Sequence, residues 1–359
     1  MIIGHGGNKT ALAKRLGCHV DEIIDMSANL NPLGFPERIK TVIQNNISAI
    51  GHLPEPDARS MVQGFSRYHD MDPDSVIAGN GTTWFIYTLP LALQAKNVLI
   101  LGPTYSDYAD ACRMHNIEPE FWIAEFENGF EPDLEAVSKM AANADLVFIC
   151  NPNNPTGVLL DPAFVTTLLQ RHPRVCFVVD ESYLPFADDG ESRSLIQAGP
   201  FPNLLVLSSM SKIFAVPGLR TGFLSGAPDW IKKVRDYCQP WHVNALAQVV
   251  IQDIFDHPEQ IAPFYEKTRA FIAREKQWFL QEQAHFSGLV PVSGHTGFIL
   301  ARLEDHTASQ VCRRVGQDRI LIRDCGNFHG LNQRFVRFSL KDRAANMKLA
   351  DSLKKALTQ

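Results

Sequence analysis

The chain has 359 residues, 45% of them hydrophobic and 20% charged, proportions that exclude disorder, collagen-like repeats and disulfide-dense miniproteins and leave room for about two domains. Its 34 basic and 39 acidic residues give a formal charge of −5, no footprint for nucleic acid, and no apolar run approaches the ~18 residues needed to cross a bilayer. Seven cysteines without a CxxC pair read as reduced thiols of a cytoplasmic protein rather than as a disulfide framework or a zinc site.

Residues 1–30 carry glycines and asparagines around one short helical pattern, Lys9 to Leu16, and read as an arm tied to the rest. From residue 75 to 225 short apolar runs alternate with amphipathic stretches. The runs Ser75 to Ala78, Asn97 to Leu101, Asp145 to Cys150, Cys176 to Asp180 and Asn203 to Leu207 lack polar alternation, which predicts strands buried on both faces. Thr82 to Leu93, Tyr105 to His115 and Pro162 to Arg171 have helical spacing. This alternation predicts an α/β fold around a mainly parallel sheet. Beyond residue 228 the pattern changes to long helices, Pro228 to Tyr237 and Ala245 through Gln283. Two strands, Gly297 to Leu303 and Arg334 to Leu340, and a closing helix from Ala344 follow. The expected division is an N-terminal arm with part of a small domain at 1–49, a large domain at 50–240 and a small α+β domain at 241–359.

In open α/β sheets ligands bind outside the carboxyl ends of the strands, and four polar signatures fall at such ends. Gly79-Asn80-Gly81-Thr82-Thr83 follows a strand and opens a helix, where close backbone approach and free N–H groups suit a phosphate; alone, such a turn is more often a simple connection. Asn151-Pro152-Asn153-Asn154-Pro155-Thr156-Gly157 is a rigid turn presenting amide donors. Asp180-Glu181-Ser182-Tyr183 ends an apolar run in two acids, with no His or further Asp at metal-ligand spacing, so no metal is expected and a carboxylate holding a protonated ring nitrogen remains open. Ser208-Ser209-Met210-Ser211-Lys212 sets a lysine among small residues before apolar Ile213 to Val216. A desolvated lysine has a lowered pKa and attacks carbonyls.

In that chain order, and with Pro217-Gly218-Leu219-Arg220-Thr221-Gly222 following, these signatures resemble the fold-type I pyridoxal-phosphate enzymes over nearly the whole chain. The resemblance implies that Lys212 bonds the cofactor, Asp180 binds its pyridinium nitrogen, Tyr183 and Asn154 bind its phenolic oxygen, and Tyr108 stacks on its ring. Gly81 and Thr82 by backbone, with Ser209, Ser211 and Arg220 by side chain, would hold its phosphate, and Arg337 would clamp a substrate carboxylate, near Asn154.

The arm His5-Gly6-Gly7-Asn8, the stretch Asp25 to Gly34, the segment Pro240 to Leu246 and the run Arg319 to Cys325 are similar to the L-threonine-O-3-phosphate decarboxylases of cobalamin synthesis. Histidinol-phosphate aminotransferases are relatives of these. On that resemblance His5, Asn29 and Arg323 would hold a substrate phosphate. The implied reaction is decarboxylation of L-threonine O-3-phosphate to (R)-1-amino-2-propanol O-2-phosphate and CO2. Transamination, a serine-phosphate preference and a non-catalytic binder stay open, because the same residues serve each. Relatives form homodimers in which a tyrosine before a Pro-Asp/Glu pair reaches the neighbouring cofactor phosphate. Here that stretch reads His52-Leu53-Pro54-Glu55, so either His52 substitutes or the contact is missing.

Overall fold

The computed structural model describes residues 6–199 and 201–358. Among them the strands, in chain order, are β1 (Ile24–Asp25), β2 (Val76–Asn80), β3 (Val98–Gly102), β4 (Glu120–Ile123), β5 (Leu146–Cys150), β6 (Cys176–Asp180), β7 (Leu204–Ser209), β8 (Thr221–Gly226), β9 (Leu289–Pro291), β10 (Phe298–Leu303), β11 (Ile320–Leu321), β12 (Arg323–Asp324) and β13 (Phe335–Ser339). A seven-stranded sheet has the order β2-β8-β7-β6-β5-β3-β4. Its neighbours pair in parallel from β7 through β4, and β8 runs antiparallel to both β2 and β7.

Successive side chains of a strand point to opposite faces, and here each face meets its own helices. Cys176, Val178, Leu205 and Leu207 pack with Phe85, Leu89 and Ala111. Phe177, Val179, Leu204 and Val206 pack with Val137, Val165 and Leu168 on the other side. That double cover explains why β5 and β6 are buried at every residue. A four-stranded antiparallel sheet, β12-β13-β10-β9, and the parallel pair β1-β11 complete the strand set. The first of these rests on a helix at Ile261–Gln283 and a closing helix at Arg343–Thr358 through Phe279, Phe338, Leu349 and Leu353. No helix among the described residues is long and apolar enough to cross a membrane.

The short strands β1, β9, β11 and β12 were not expected, and three further differences have an evident physical reason. The helical pattern Ala245 through Gln283 is two helices, Ala245–Asp256 and Ile261–Gln283, separated by a tight turn at Pro258–Gln260, because proline cannot continue a helix ladder. Strand β8 was not expected, since its sequence TGFLSG interrupts the apolar run with two glycines. The glycines are there because neighbours come close: a Cβ on Gly222 would lie 2.7 Å from the Thr82 nitrogen, and one on Gly226 2.5 Å from the Leu204 oxygen. Strand β4 escaped notice because it is an edge strand, half-exposed along most of its length.

Candidate active site

The parallel strands end along one edge of the sheet, and the antiparallel β8 starts there, with Thr221 opposite Asn80 and Gly222 opposite Ser209. The turns at Gly81, Tyr105, Asn154, Ser182, Ser211 and Arg220 therefore converge. They line an inner cavity of about 80 Å³ that includes Thr82, Thr83, Tyr108, Asp180, Ser209 and Lys212. An outer cavity of about 160 Å³ shares Tyr105, Asn154, Tyr183 and Lys212 with it and adds Asn29, Arg323 and Arg337.

At the floor, Asp180 ends β6 with 5% exposure. Its carboxylate accepts from the Tyr108 hydroxyl at 2.8 Å and from the Ser182 backbone N–H at 2.9 Å. Burial raises its pKa against these bonds and the Lys212 charge, so a buried acceptor is poised for a cationic partner. Lys212 sits one turn beyond β7. Burial, then the guanidinium charges of Arg220 and Arg337, push its ammonium down to about 8, opposed by Asp180 and Asp107. An amine with that value is partly free base at neutral pH, which is the nucleophilic form.

On the other side of the inner cavity, Gly81 has φ 77° and precedes the helix Thr82–Ala92. A Cβ there would stand 2.7 Å from Nη2 of Arg220, so glycine keeps open a cradle between a helix N-terminus and a guanidinium, the donor set of an anion site. Ser209 and Ser211 are buried beside it, and the Ser211 hydroxyl donates to the Thr221 carbonyl at 3.3 Å. The buried hydroxyls of Ser182 and Thr221 have no hydrogen-bond partner among the described residues. Unsatisfied buried donors, a cradle and a low-pKa lysine fit a ring-and-phosphate aldehyde such as pyridoxal phosphate.

Tyr108 is the one expected residue that the structure repositions. It is 1% exposed, its ring stacks on Phe148 at 5.1 Å, and its hydroxyl is committed to Asp180. With one face covered by Phe148 and its hydroxyl bonded to the carboxylate, it braces Asp180 from the wall of the inner cavity. Tyr105, half-exposed and lining both cavities, is the aromatic side chain open to a ring. It was not singled out from sequence, although Gly102-Pro103-Thr104-Tyr105 follows β3 just as the other signatures follow their strands.

Around the outer cavity, Arg337 of β13 is 5% exposed. Its Nη1 donates to the Asn154 side-chain oxygen and its Nη2 to the Ser27 carbonyl at 2.8 Å. Nε has no partner among the described residues, and the guanidinium lies over the Phe298 ring at 5.4 Å. Asn29 donates to the Tyr183 hydroxyl at 3.3 Å and accepts from Ser339 at 2.9 Å. Burial pushes the Tyr183 phenol up to about 12, although Arg337 works against it. Arg323 donates to Asn327 at 2.7 Å and lies over Phe328. Ser27, Asn31 and Phe328 were also missed from sequence. Asn31 ties the arm to the lysine turn: its N–H donates to the Lys212 carbonyl at 3.1 Å and its amide to the Ile213 carbonyl at 2.7 Å.

Among the expected glycine-rich residues, Gly6 lines the outer cavity and the Gly7 N–H donates to Ser27 at 2.7 Å, whereas Asn8 caps the helix Lys9–Leu16. His5 lies outside the described residues. His52 is exposed and lines neither cavity of its own chain.

A model of the aminotransferase class I and II family matches residues 21–353. The chain is 30% identical to the threonine-phosphate decarboxylase of Salmonella typhimurium, an alignment covering 99% of this chain and 96% of that protein. It is similar to the crystal structure of L-threonine-O-3-phosphate decarboxylase from Porphyromonas gingivalis, with a TM-score of 0.83 and 29% identity over 94% of this chain and 100% of that one. The histidinol-phosphate aminotransferase from Sinorhizobium meliloti, solved in complex with pyridoxal-5'-phosphate, has a TM-score of 0.84 and 20% identity, covering 98% of this chain and 95% of that one.

Proposed function

The chain belongs to the aminotransferase class I and II family and is a pyridoxal-phosphate enzyme; from that premise we propose that it decarboxylates L-threonine O-3-phosphate to (R)-1-amino-2-propanol O-2-phosphate and CO2. The observation that carries the reading is that Lys212, Arg337, Arg323, Asn29 and Gly6 line a single cavity of about 160 Å³. Amine chemistry, carboxylate binding and phosphate binding are thus available within the span of one small molecule.

Bound at Lys212, the cofactor supplies an electron sink for the pair released when a bond to the substrate Cα breaks. Asp180, held by Tyr108 and Ser182, keeps the ring nitrogen protonated. Arg337 would receive the substrate carboxylate, its guanidinium held in place by its ties to Asn154 and Ser27. Arg323 and Asn29, with the arm at Gly6 and Gly7, hold the distal phosphate. With the substrate amine in its place, the Lys212 side chain in its ammonium form, protonated by the substrate ammonium or by solvent, would give Cα the proton that replaces the departing CO2. The test is turnover of threonine phosphate, serine phosphate and histidinol phosphate side by side. CO2 release from threonine phosphate is the expected result, whereas amino-group transfer from histidinol phosphate to 2-oxoglutarate without CO2 would sink the assignment.

The same reading includes a homodimer and the three-part division at residues 50 and 240. Ile47, Ile50, Leu53 and Trp241 expose 53, 68, 75 and 50% of their surfaces, and Trp241 is tied to the same stretch through its N–H to the Pro56 carbonyl. Such an apolar cluster suits a second copy of the chain. Sedimentation should give a dimer at micromolar concentration. In that dimer His52→Ala should weaken cofactor binding if the imidazole replaces the missing tyrosine contact.

A further inference from the structure

The signature Asp180-Glu181 ends β6 in two acids, and the function above uses only the first. Strand alternation separates them. Asp180 continues the face of Cys176 and Val178 toward the cofactor cavity, and Glu181 continues the face of Phe177 and Val179. Glu181 therefore opens into a different cavity, about 260 Å³ in volume, behind the strand ends. On β7, Ser208 reaches only the rear space, whereas Ser209 lines both.

The Glu181 carboxyl is buried and has neutral partners. Ser194 lies 2.6 Å from one oxygen, and the Leu195 N–H donates to the other at 2.8 Å. Among the described residues, no lysine or arginine lines the rear cavity. Backbone bonds also clamp the residue, its N–H to the Leu207 carbonyl and its carbonyl from Leu184, both at 2.9 Å. One peptide unit thus joins a carboxyl with no cationic partner to the carboxylate assigned to the ring nitrogen.

We propose that Glu181 is a positioning residue acting through Asp180: its charge, gained and lost behind the strand end, sets the proton affinity of the carboxylate and ring nitrogen in front. The proposal rests on the reading of Asp180 as the ring-nitrogen partner. The titratable groups facing Glu181 are Asp180 on β6, Tyr68 and His69 on the helix Arg59–His69, Glu191 on the loop after the strand, and Tyr265 on the helix Ile261–Gln283. Burial pushes His69 down to about 4 and Tyr68 up to about 12, and raises Tyr265 further, so these stay neutral at physiological pH. Glu191 is met by Arg269 at 3.1 Å. Burial pushes Glu181 itself up to about 7, with Asp180 adding to the rise and Ser194 and Leu195 opposing it. Ionised Glu181 places a second negative charge behind the ring nitrogen just as rising pH favours loss of its proton, and nearby negative charge raises proton affinity.

The experiment compares reconstituted wild type, Glu181→Gln and Glu181→Asp by the visible absorbance of the bound cofactor between pH 6 and 10. In Glu181→Gln the midpoint should fall by about half a pH unit or more, the size expected of one charge at short range in a protein interior. Glu181→Asp, which restores the charge, should recover most of the shift. An unchanged midpoint in Glu181→Gln, or no recovery in Glu181→Asp, overturns the proposal.

A second arm uses apoprotein. Since the folded value of about 7 lies above the ordinary 4.5, the folded state holds the extra proton between these values and stability falls as pH rises through that window. Glu181→Gln should flatten that fall in denaturant titrations at pH 5 and pH 8; an identical slope would also overturn the proposal. Failure of the cofactor reading looks different: no variant would then show a visible band that Lys212→Ala removes.

Discussion

The floor of the active site and its outer wall are built in opposite ways. On the floor, Asp180, Ser209, Ser211 and Lys212 lie at the ends of adjacent strands, and the Asp180 carboxylate is held by Ser182 two residues away and by Tyr108 across 72. On the outer wall, Arg337 meets Ser27 across 310 residues of sequence and Asn154 across 183, and Ser339 meets Asn29 across 310. On the proposed function, the electron chemistry belongs to the sheet, whereas substrate choice belongs to how the arm and the C-terminal strands close over it. Changes on the floor should remove both cofactor and reaction, and changes on the wall should alter substrate use with the cofactor still in place.

The largest effect is expected at Lys212. Lys212→Ala should abolish the visible cofactor band and lower turnover by about 10³-fold or more, with an unchanged circular dichroism spectrum. Arg337→Ala probes a buried point of the wall and leaves the Asn154 oxygen and the Ser27 carbonyl without their donor. A loss of about 10²- to 10³-fold in kcat/KM is expected, while the cofactor dissociation constant stays close to wild type. A comparable loss of cofactor affinity would break the division between floor and wall. Arg323→Ala is expected to raise KM for the phosphorylated substrate by about 10- to 100-fold, the worth of a hydrogen bond to a charged group. Turnover of unphosphorylated threonine should not change, and a parallel loss there would remove Arg323 from the phosphate.

The smallest effect sharpens the boundary itself. In apoprotein the rate of Schiff-base formation with phosphate-free pyridoxal should rise with pH through about 8, as the Lys212 ammonium gives up its proton. Arg220→Gln removes a cation that depresses that value, so the midpoint should move upward. Pyridoxal lacks the phosphate that Arg220 would bind, which separates the charge effect from cofactor affinity. A downward or absent shift would mean that Arg220 does not act on the lysine.

What was legible in the sequence follows the same division. The floor could be read because its residues stand together in short signatures after apolar runs, where one strand end fixes several side chains at once. Tyr105 obeyed that rule and was passed over in favour of Tyr108. Tyr105 lies in the loop before the helix Asp107–Met114 and Tyr108 on its first turn, and periodicity alone does not say which of the two meets the ligand. Strand β8 was hidden by Gly222 and Gly226, whose missing side chains let backbones touch but erase the hydrophobic signal. On the wall, Asn29, Arg323 and Arg337 came from family resemblance. Ser27 could not be read, since it contributes a backbone carbonyl to a guanidinium 310 positions later and leaves no trace in local pattern.

The bond between Arg337 and Ser27 also orders events in time. A ribosome releases β6 and β7 long before β13, so the strands that carry Asp180 and Lys212 can pair while the donor to Ser27 is still unmade. Until β13 joins its sheet, the arm has no guanidinium to close upon and the Asn154 oxygen faces an unfinished wall. On the proposed function, the growing chain thus acquires its cofactor-binding floor first and its means of telling one amino acid from another last.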